Sequence, residues 1–261
     1  MGQALRDIGT LFNLAYSDML RLSRTMWWVI GLMLVLLFLG ALPGALLAMV
    51  LRTPLSRELV SSLSSVVGLW LAAPYMVSLY RFIITNTVSR PETLRRSDAA
   101  RRFFAWSAVM VFIVSVPSYA YALLTPLGAT VSTTPGVPPL NVPQTLVTFA
   151  LLVATWIFTV RVITLLPGAA MDRPVTLREA LAQTRGRFWF IVGATLAVVL
   201  PCALTAAVLQ LLAEAALGAA VAPAVSTVIT VLMVLVVVQL GLSLSARLYQ
   251  KFAPEPVDRL A

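Results

Sequence analysis

"WWVIGLMLVLLFLGALPGALLAMVL", residues 27–51, runs without a single charged side chain. A helix needs about 20 apolar residues to cross the hydrocarbon core of a bilayer, and this stretch is long enough. Hydrocarbon offers no partner to a free backbone N–H or C=O, so the stretch is expected to be an α-helix. Working outward, further runs of the same kind follow at Leu59–Ile84, Phe103–Leu124, Thr145–Leu166, Phe188–Ala213 and Ala220–Leu244. Together they predict an all-α polytopic membrane protein with six transmembrane helices. The spans occupy most of the 261 residues, which leaves no room for a separate soluble domain. The chain divides into an amphipathic N-terminal segment (1–26), a six-span membrane domain (27–252) and a tail (253–261). The first run is longer than the roughly 7–15-residue apolar core of a secretory signal peptide, so it is expected to stay in the mature protein.

Only 11% of residues are charged and 60% are hydrophobic, against about 25% charged in a soluble domain. The net charge of +9 therefore reads as a topology signal, and nucleic acid is not expected as a partner. Arg6, Arg21 and Arg24 precede the first span. Arg90, Arg95, Arg96, Arg101 and Arg102 lie between the second and third, and Arg173, Arg178, Arg185 and Arg187 between the fourth and fifth. Arg247, Lys251 and Arg259 end the chain. The alternate connections carry only Arg52 and Arg57. The positive-inside rule then places both termini in the cytoplasm, and Trp27, Trp28, Phe103, Phe104, Trp106, Phe188 and Trp189 form the matching interfacial belt. Lys251 is the only lysine. So arginine-heavy a composition, rich in Ala, Leu and Val, suggests a GC-rich bacterial genome and hence a multi-pass protein of the bacterial inner membrane.

Ahead of the first span, Leu5, Ile8, Phe12, Ala15, Met19 and Leu22 recur at helical steps, with Arg6, Asp7, Asn13, Ser17 and Asp18 off that stripe. Two readings fit: an interfacial helix lying on the inner leaflet, or a helix packed against the bundle. The uncharged loop at 125–144 is rich in Pro, Gly, Ser and Thr. It reads as a solvated connector, with a binding loop or lid as the other reading.

One polar phrase occurs twice, as "RPETLRR" at 90–96 and "RPVTLRE" at 173–179. Its surroundings match as well. "YRFIIT" at 80–85 pairs with "VRVITL" at 160–165, and "ARRFFAW" at 100–106 resembles "TRGRFWF" at 184–190. The simplest account is three related helical hairpins in parallel orientation. Pro43, Pro117 and Pro201, one in each odd-numbered span, agree with it. Thr176 with Glu179 is a capping box that starts a short helix, and Ser89 with Glu92 offers the same device earlier.

The chain has no histidine, which removes most acid–base, nucleophilic and metal constellations. Its acids are scattered, and no Walker-type or Gly-x-Ser-x-Gly motif is present. No catalytic residue, metal or cofactor is expected, and the chain is not expected to be an enzyme. The serines of "VSSLSSVVG" at 60–68 read as close-packing residues between helices, and Cys202 as a small packing residue. Candidate contacts for anionic lipid head groups are Arg90, Arg95, Arg96, Arg101, Arg102, Arg173, Arg178, Arg185 and Arg187. The intramembrane polar candidates are Arg81 and Arg161, the latter expected about five residues, roughly 7–8 Å, from the inner end of its span. The expected partners are membrane lipids and another membrane protein.

The stretch "RVITLLPGAAMDRPVTLREALAQTRGRFWFIVG" at 161–193 resembles the membrane domain of glycerophosphoryl diester phosphodiesterases, in the form that occurs free of the catalytic barrel. The resemblance implies a lipid-embedded multi-span module and carries no catalytic residue. The functional expectation is a non-enzymatic module that binds lipids or assists another membrane protein. The alternative is a small-solute or lipid transporter.

Overall fold

The computed structural model describes residues 2–124, 142–171 and 175–252, apart from the side chains of 142, 143, 217–220, 222 and 223. Most of the described residues are helical, the rest forming turns, bends and short irregular connections, and no strand occurs among them. The helices are α1 (Gly2–Thr25), α2 (Trp27–Val50), α3 (Pro54–Thr85), α4 (Pro91–Leu94), α5 (Asp98–Leu124), α6 (Val142–Arg161), α7 (Leu165–Ala170), α8 (Leu177–Gln183) and α9 (Phe188–Phe252). Six segments are long and apolar enough to cross a bilayer: α2, α3, α5, Gln144–Arg161 of α6, and Phe188–Ala216 and Ala224–Phe252 of α9. These are the spans of a multi-pass membrane protein. Their lipid-facing sides explain why residues such as Phe38, Leu47, Phe149, Leu204 and Val231 are exposed.

α9 is helical along its length and yet doubles back. In a straight helix Gln210 and Thr230 would stand about 30 Å apart at 1.5 Å per residue. Instead Gln210 Nε2 donates to Thr230 Oγ1 at 3.0 Å, and the Phe190 and Phe252 rings meet at 6.2 Å. The reversal falls between 210 and 230 and makes α9 a hairpin of two arms.

α2 and α3 form the tightest pair. Gly40 and Gly44, one helical turn apart, face Gly68 and Ser64. A Cβ on Gly40 would lie 2.1 Å from the Gly68 Cα, so the two backbones touch as in small-xxx-small membrane packing. The serine-rich stretch thus packs as its composition suggested. Ser62 donates to Ser115 at 3.1 Å and joins α3 to α5. α6 packs on α5, where Gln144 Nε2 donates to the Tyr121 carbonyl at 3.2 Å.

α1 settles the two readings of the opening segment by packing on the α9 hairpin. It places Asp7 at Lys251, Ile8 at Gly193, Tyr16 at Val198 and Cys202, and Ser23 at Gln239. It runs lengthwise beside the α9 arms. Its buried stripe is Leu11, Ala15, Asp18 and Leu22, so Asp18 belongs to the buried face and not, as the sequence suggested, to the polar one. The Tyr16 phenol donates to the Val198 carbonyl at 3.1 Å, which leaves the Cys202 thiol to donate to the phenol oxygen at 3.3 Å. Desolvation by burial pushes the phenol up to about 12. It therefore keeps its proton at physiological pH.

The twice-written phrase folds in two ways. Thr176 caps α8 with the expected box: its backbone N–H donates to Glu179 Oε2 at 2.8 Å, and the Glu179 N–H to Thr176 Oγ1 at 3.3 Å. The Ser89–Glu92 box does not form. Pro91 takes the first helical position, which makes Arg90 the N-cap and shifts the register by one residue.

Candidate functional site

The arginine-rich segments gather at one end of the bundle. Gln250 Nε2 donates to the Ile84 carbonyl at 3.0 Å, and Tyr80 meets Ser245 at 3.0 Å. These contacts set the end of α3 level with the end of α9. Arg81 Nε donates to the Ala170 carbonyl at 3.2 Å, bringing the end of α7 to the same place.

A buried ionic knot lies at this end. Asp18, only 3% exposed, accepts two bonds from Arg247, Nε to Oδ2 at 2.6 Å and Nη2 to Oδ1 at 2.8 Å. This fork geometry is the strong form of carboxylate pairing. Arg247 Nη1 also donates to Gln250 Oε1 at 2.9 Å, so the chain of bonds reaches α3 through Ile84. Arg21 flanks Asp18 at 3.7 Å and stacks over the Phe82 ring at 4.8 Å. Lys251 bonds Asp7 at 2.6 Å and lies over the Phe190 ring, while Arg187 covers the Phe252 ring at 4.6 Å. These contacts tie α1 and both arms of α9 together. Asp18 and Asp7 are paired with Arg247 and Lys251, and the group reads as structure.

A cavity of about 930 Å³ opens among α2, α3, α4 and the start of α5. Its walls divide by chemistry. Leu36, Trp70, Leu71, Pro74 and Phe104 form an apolar part, and Glu92, Thr93, Arg95, Arg96 and Arg101 a polar rim. Pro74 lies inside α3 and has no N–H to give the Trp70 carbonyl, which loosens the helix there. The Tyr80 and Phe103 rings pack at 5.8 Å, and so mark the level at which α5 begins. Trp70 lies ten residues farther along α3, about 15 Å at 1.5 Å per residue. The cavity is therefore a groove running from the basic rim into the apolar depth of the bundle.

The nine arginines expected at lipid head groups do not form one patch. Arg95, Arg96 and Arg101 share the groove rim. Arg90 caps α4 and is exposed, and Arg102 is half-buried on α5. Arg178 and Arg185 are exposed on and after α8, Arg187 is held on Phe252, and Arg173 lies outside the described residues. Arg161 is the last residue of α6 and not five residues inside a span, because the chain leaves the helix in a turn at 162–164. Its carbonyl accepts from Thr184 Oγ1 at 2.7 Å. Arg81 serves the end of α7. No group of three or more potential metal ligands occurs among the described residues. No family model, no curated protein and no solved structure matches the chain. The resemblance at 161–193 rests on its own residues alone.

Sequence reasoning missed the Asp18–Arg247 pair and the groove. The helical spacing that puts Asp18 on one face with Leu11, Ala15 and Leu22 was the available signal for the pair, since a charge on a buried stripe demands a partner. The groove had a fainter signal. Pro74 interrupts the span that leads into the connection carrying Arg90, Arg95 and Arg96.

Proposed function

We propose that this is a bacterial inner-membrane protein whose basic end faces the cytoplasm and whose role is non-enzymatic, engaging anionic lipids of the inner leaflet. The observation that carries this reading is the convergence of the basic connections and the ends of α3, α7 and α9 at one end of an apolar bundle. Arginines near an anionic leaflet gain about 1 kcal/mol each. Those of the groove rim have only weak internal pairing, since Arg101 reaches Asp98 at 3.8 Å with both side chains largely exposed. Assistance to another membrane protein fits the same surface and belongs to the same reading. The likeness of the connections on either side of α5 and α6 supports descent of the three hairpins from one, although the repeated phrase has diverged locally.

Lipid transport is the second reading, favoured by the groove itself. Against it, the groove lining reaches no farther toward the opposite end than Leu36 and Trp70, and just beyond them the Gly40–Gly68 contact closes α2 on α3. Mass spectrometry of the intact protein, extracted in a mild detergent with its lipids identified, tests the proposal. Anionic lipids enriched over their share of the host membrane are expected. Bound lipids that merely mirror the bulk, or none, would overturn it.

A further inference from the structure

We infer that the α3–α4–α5 groove is a discrete site for one anionic glycerophospholipid, with the phosphate held by Arg95, Arg96 and Arg101 and an acyl chain lying along Phe104, Leu36 and Trp70. This rests on the lipid reading above and names its site. Three observations converge on it. The volume, about 930 Å³, stands near the top of the ~300–1,000 Å³ range of small-molecule sites and is far more than a free phosphate ion fills. The charge is segregated, with three cations and one acid at the rim and an apolar wall leading inward. That segregation matches a molecule with an anionic head and a hydrocarbon tail and no other common constituent of a membrane. Finally, the inner wall belongs to spans that face lipid. Trp70 is 56% exposed, so the groove is open to the acyl region, and a lipid can enter from the leaflet without leaving it.

The rim suits phosphate. Arginine presents a planar fork that pairs two phosphate oxygens at once. Arg95 and Arg96 are neighbours just past the single turn of α4, and Arg101 stands on the first turn of α5. They approach from two elements, which fixes a head group in place where a single flexible chain would only attract it. α4 is held by its buried Pro91 and Leu94, and α5 by Ser97, whose Oγ accepts from the Ala100 N–H at 3.2 Å.

The test is a titration of the delipidated full chain in detergent with phosphatidylglycerol, counting adducts by native mass spectrometry. Inorganic phosphate and glycerol phosphate form a parallel arm. Two charge-matched variants are compared, Arg95→Gln with Arg96→Gln in the groove and Arg178→Gln with Arg185→Gln outside it, after both are shown to melt as the native chain does. The first phosphatidylglycerol adduct is expected to weaken roughly thirtyfold in the groove variant, about fivefold for each arginine near an anionic surface, and by less than about threefold in the other. Phosphatidylglycerol with brominated chains is expected to quench a fluorescence component that Trp70→Phe removes. Equal weakening in both variants would reduce the site to diffuse attraction and overturn it. So would an unaltered first adduct in the groove variant, or no quenching of Trp70. Phosphate or glycerol phosphate competing at concentrations near those of the lipid would overturn the acyl half. No adduct on the native chain would instead bring down the lipid reading on which the site rests.

Discussion

Asp18 shows how one side chain commits a helix. A carboxylate that is 3% exposed on a helix otherwise buried through Leu11, Ala15 and Leu22 can face inward only because Arg247 meets it with a fork of two bonds. Removing one partner strands a buried charge, at a cost of about 3–5 kcal/mol, whereas replacing both with apolar residues of similar size is often neutral. Asp18→Asn and Arg247→Gln should therefore each lower the thermal unfolding midpoint in detergent sharply. Asp18→Leu combined with Arg247→Leu should recover most of the loss. Additive losses in the double variant would mean that the two groups act separately. The pair was out of reach of the sequence for a plain reason. Its members stand 229 residues apart, and nothing in composition tells which face of α9 will meet which face of α1.

Between helices, close approach decides stability. At Gly40 a methyl carbon would sit 2.1 Å from the Gly68 Cα and 2.4 Å from its nitrogen. These are backbone atoms and cannot swing away, so Gly40→Ala must push α2 off α3, at a cost of about 1–3 kcal/mol. Gly31 lies on the same helix with nothing within 4 Å of its would-be Cβ. Gly31→Ala should be neutral or stabilising by up to about 1 kcal/mol. The two variants compared by thermal unfolding separate packing from helix propensity, and a similar loss in both would remove the glycine contact as the cause. The spans themselves were legible because bilayer thickness imposes a length that any apolar run reveals. Their ends were less so. α6 stops at Arg161 because the following residues turn and pack in the core as Val162, Leu165, Ala169 and Ala170. Hydrophobicity alone cannot distinguish a buried turn of helix from the last turn of a span.

At the scale of the molecule, six spans fold as three hairpins with their basic connections collected at one end. The last hairpin is hidden inside what is locally one helix. In a chain with Cys202→Ser, Gln210→Cys and Thr230→Cys should join through a short bifunctional maleimide, because the native side chains touch at 3.0 Å. A straight helix would hold them about 30 Å apart, and failure to cross-link would refute the hairpin. The basic end was legible as a distribution of arginines along the sequence. Its division was not. Lys251 and Arg247 are paired with Asp7 and Asp18, while Arg95, Arg96 and Arg101 are left on the groove rim. Only the packing of α1 on α9 and the fold-back of α4 assign the cations to these two roles.

The ionic knot also sets a clock on manufacture. Asp18 is synthesised 229 residues before Arg247, an interval of roughly 10–45 s at about 5–20 residues per second. Throughout that interval α1 carries a carboxylate that has Arg21 one turn along its own helix and lacks its forked partner. It must wait in water or at the bilayer surface while the later segments insert. Its forked pair can close only once the second arm of α9 has arrived, so α1 settles fully after segments made later than itself. A chain cut at residue 246 would keep all but the last six residues of the final crossing and would still leave the Asp18 carboxylate without its fork.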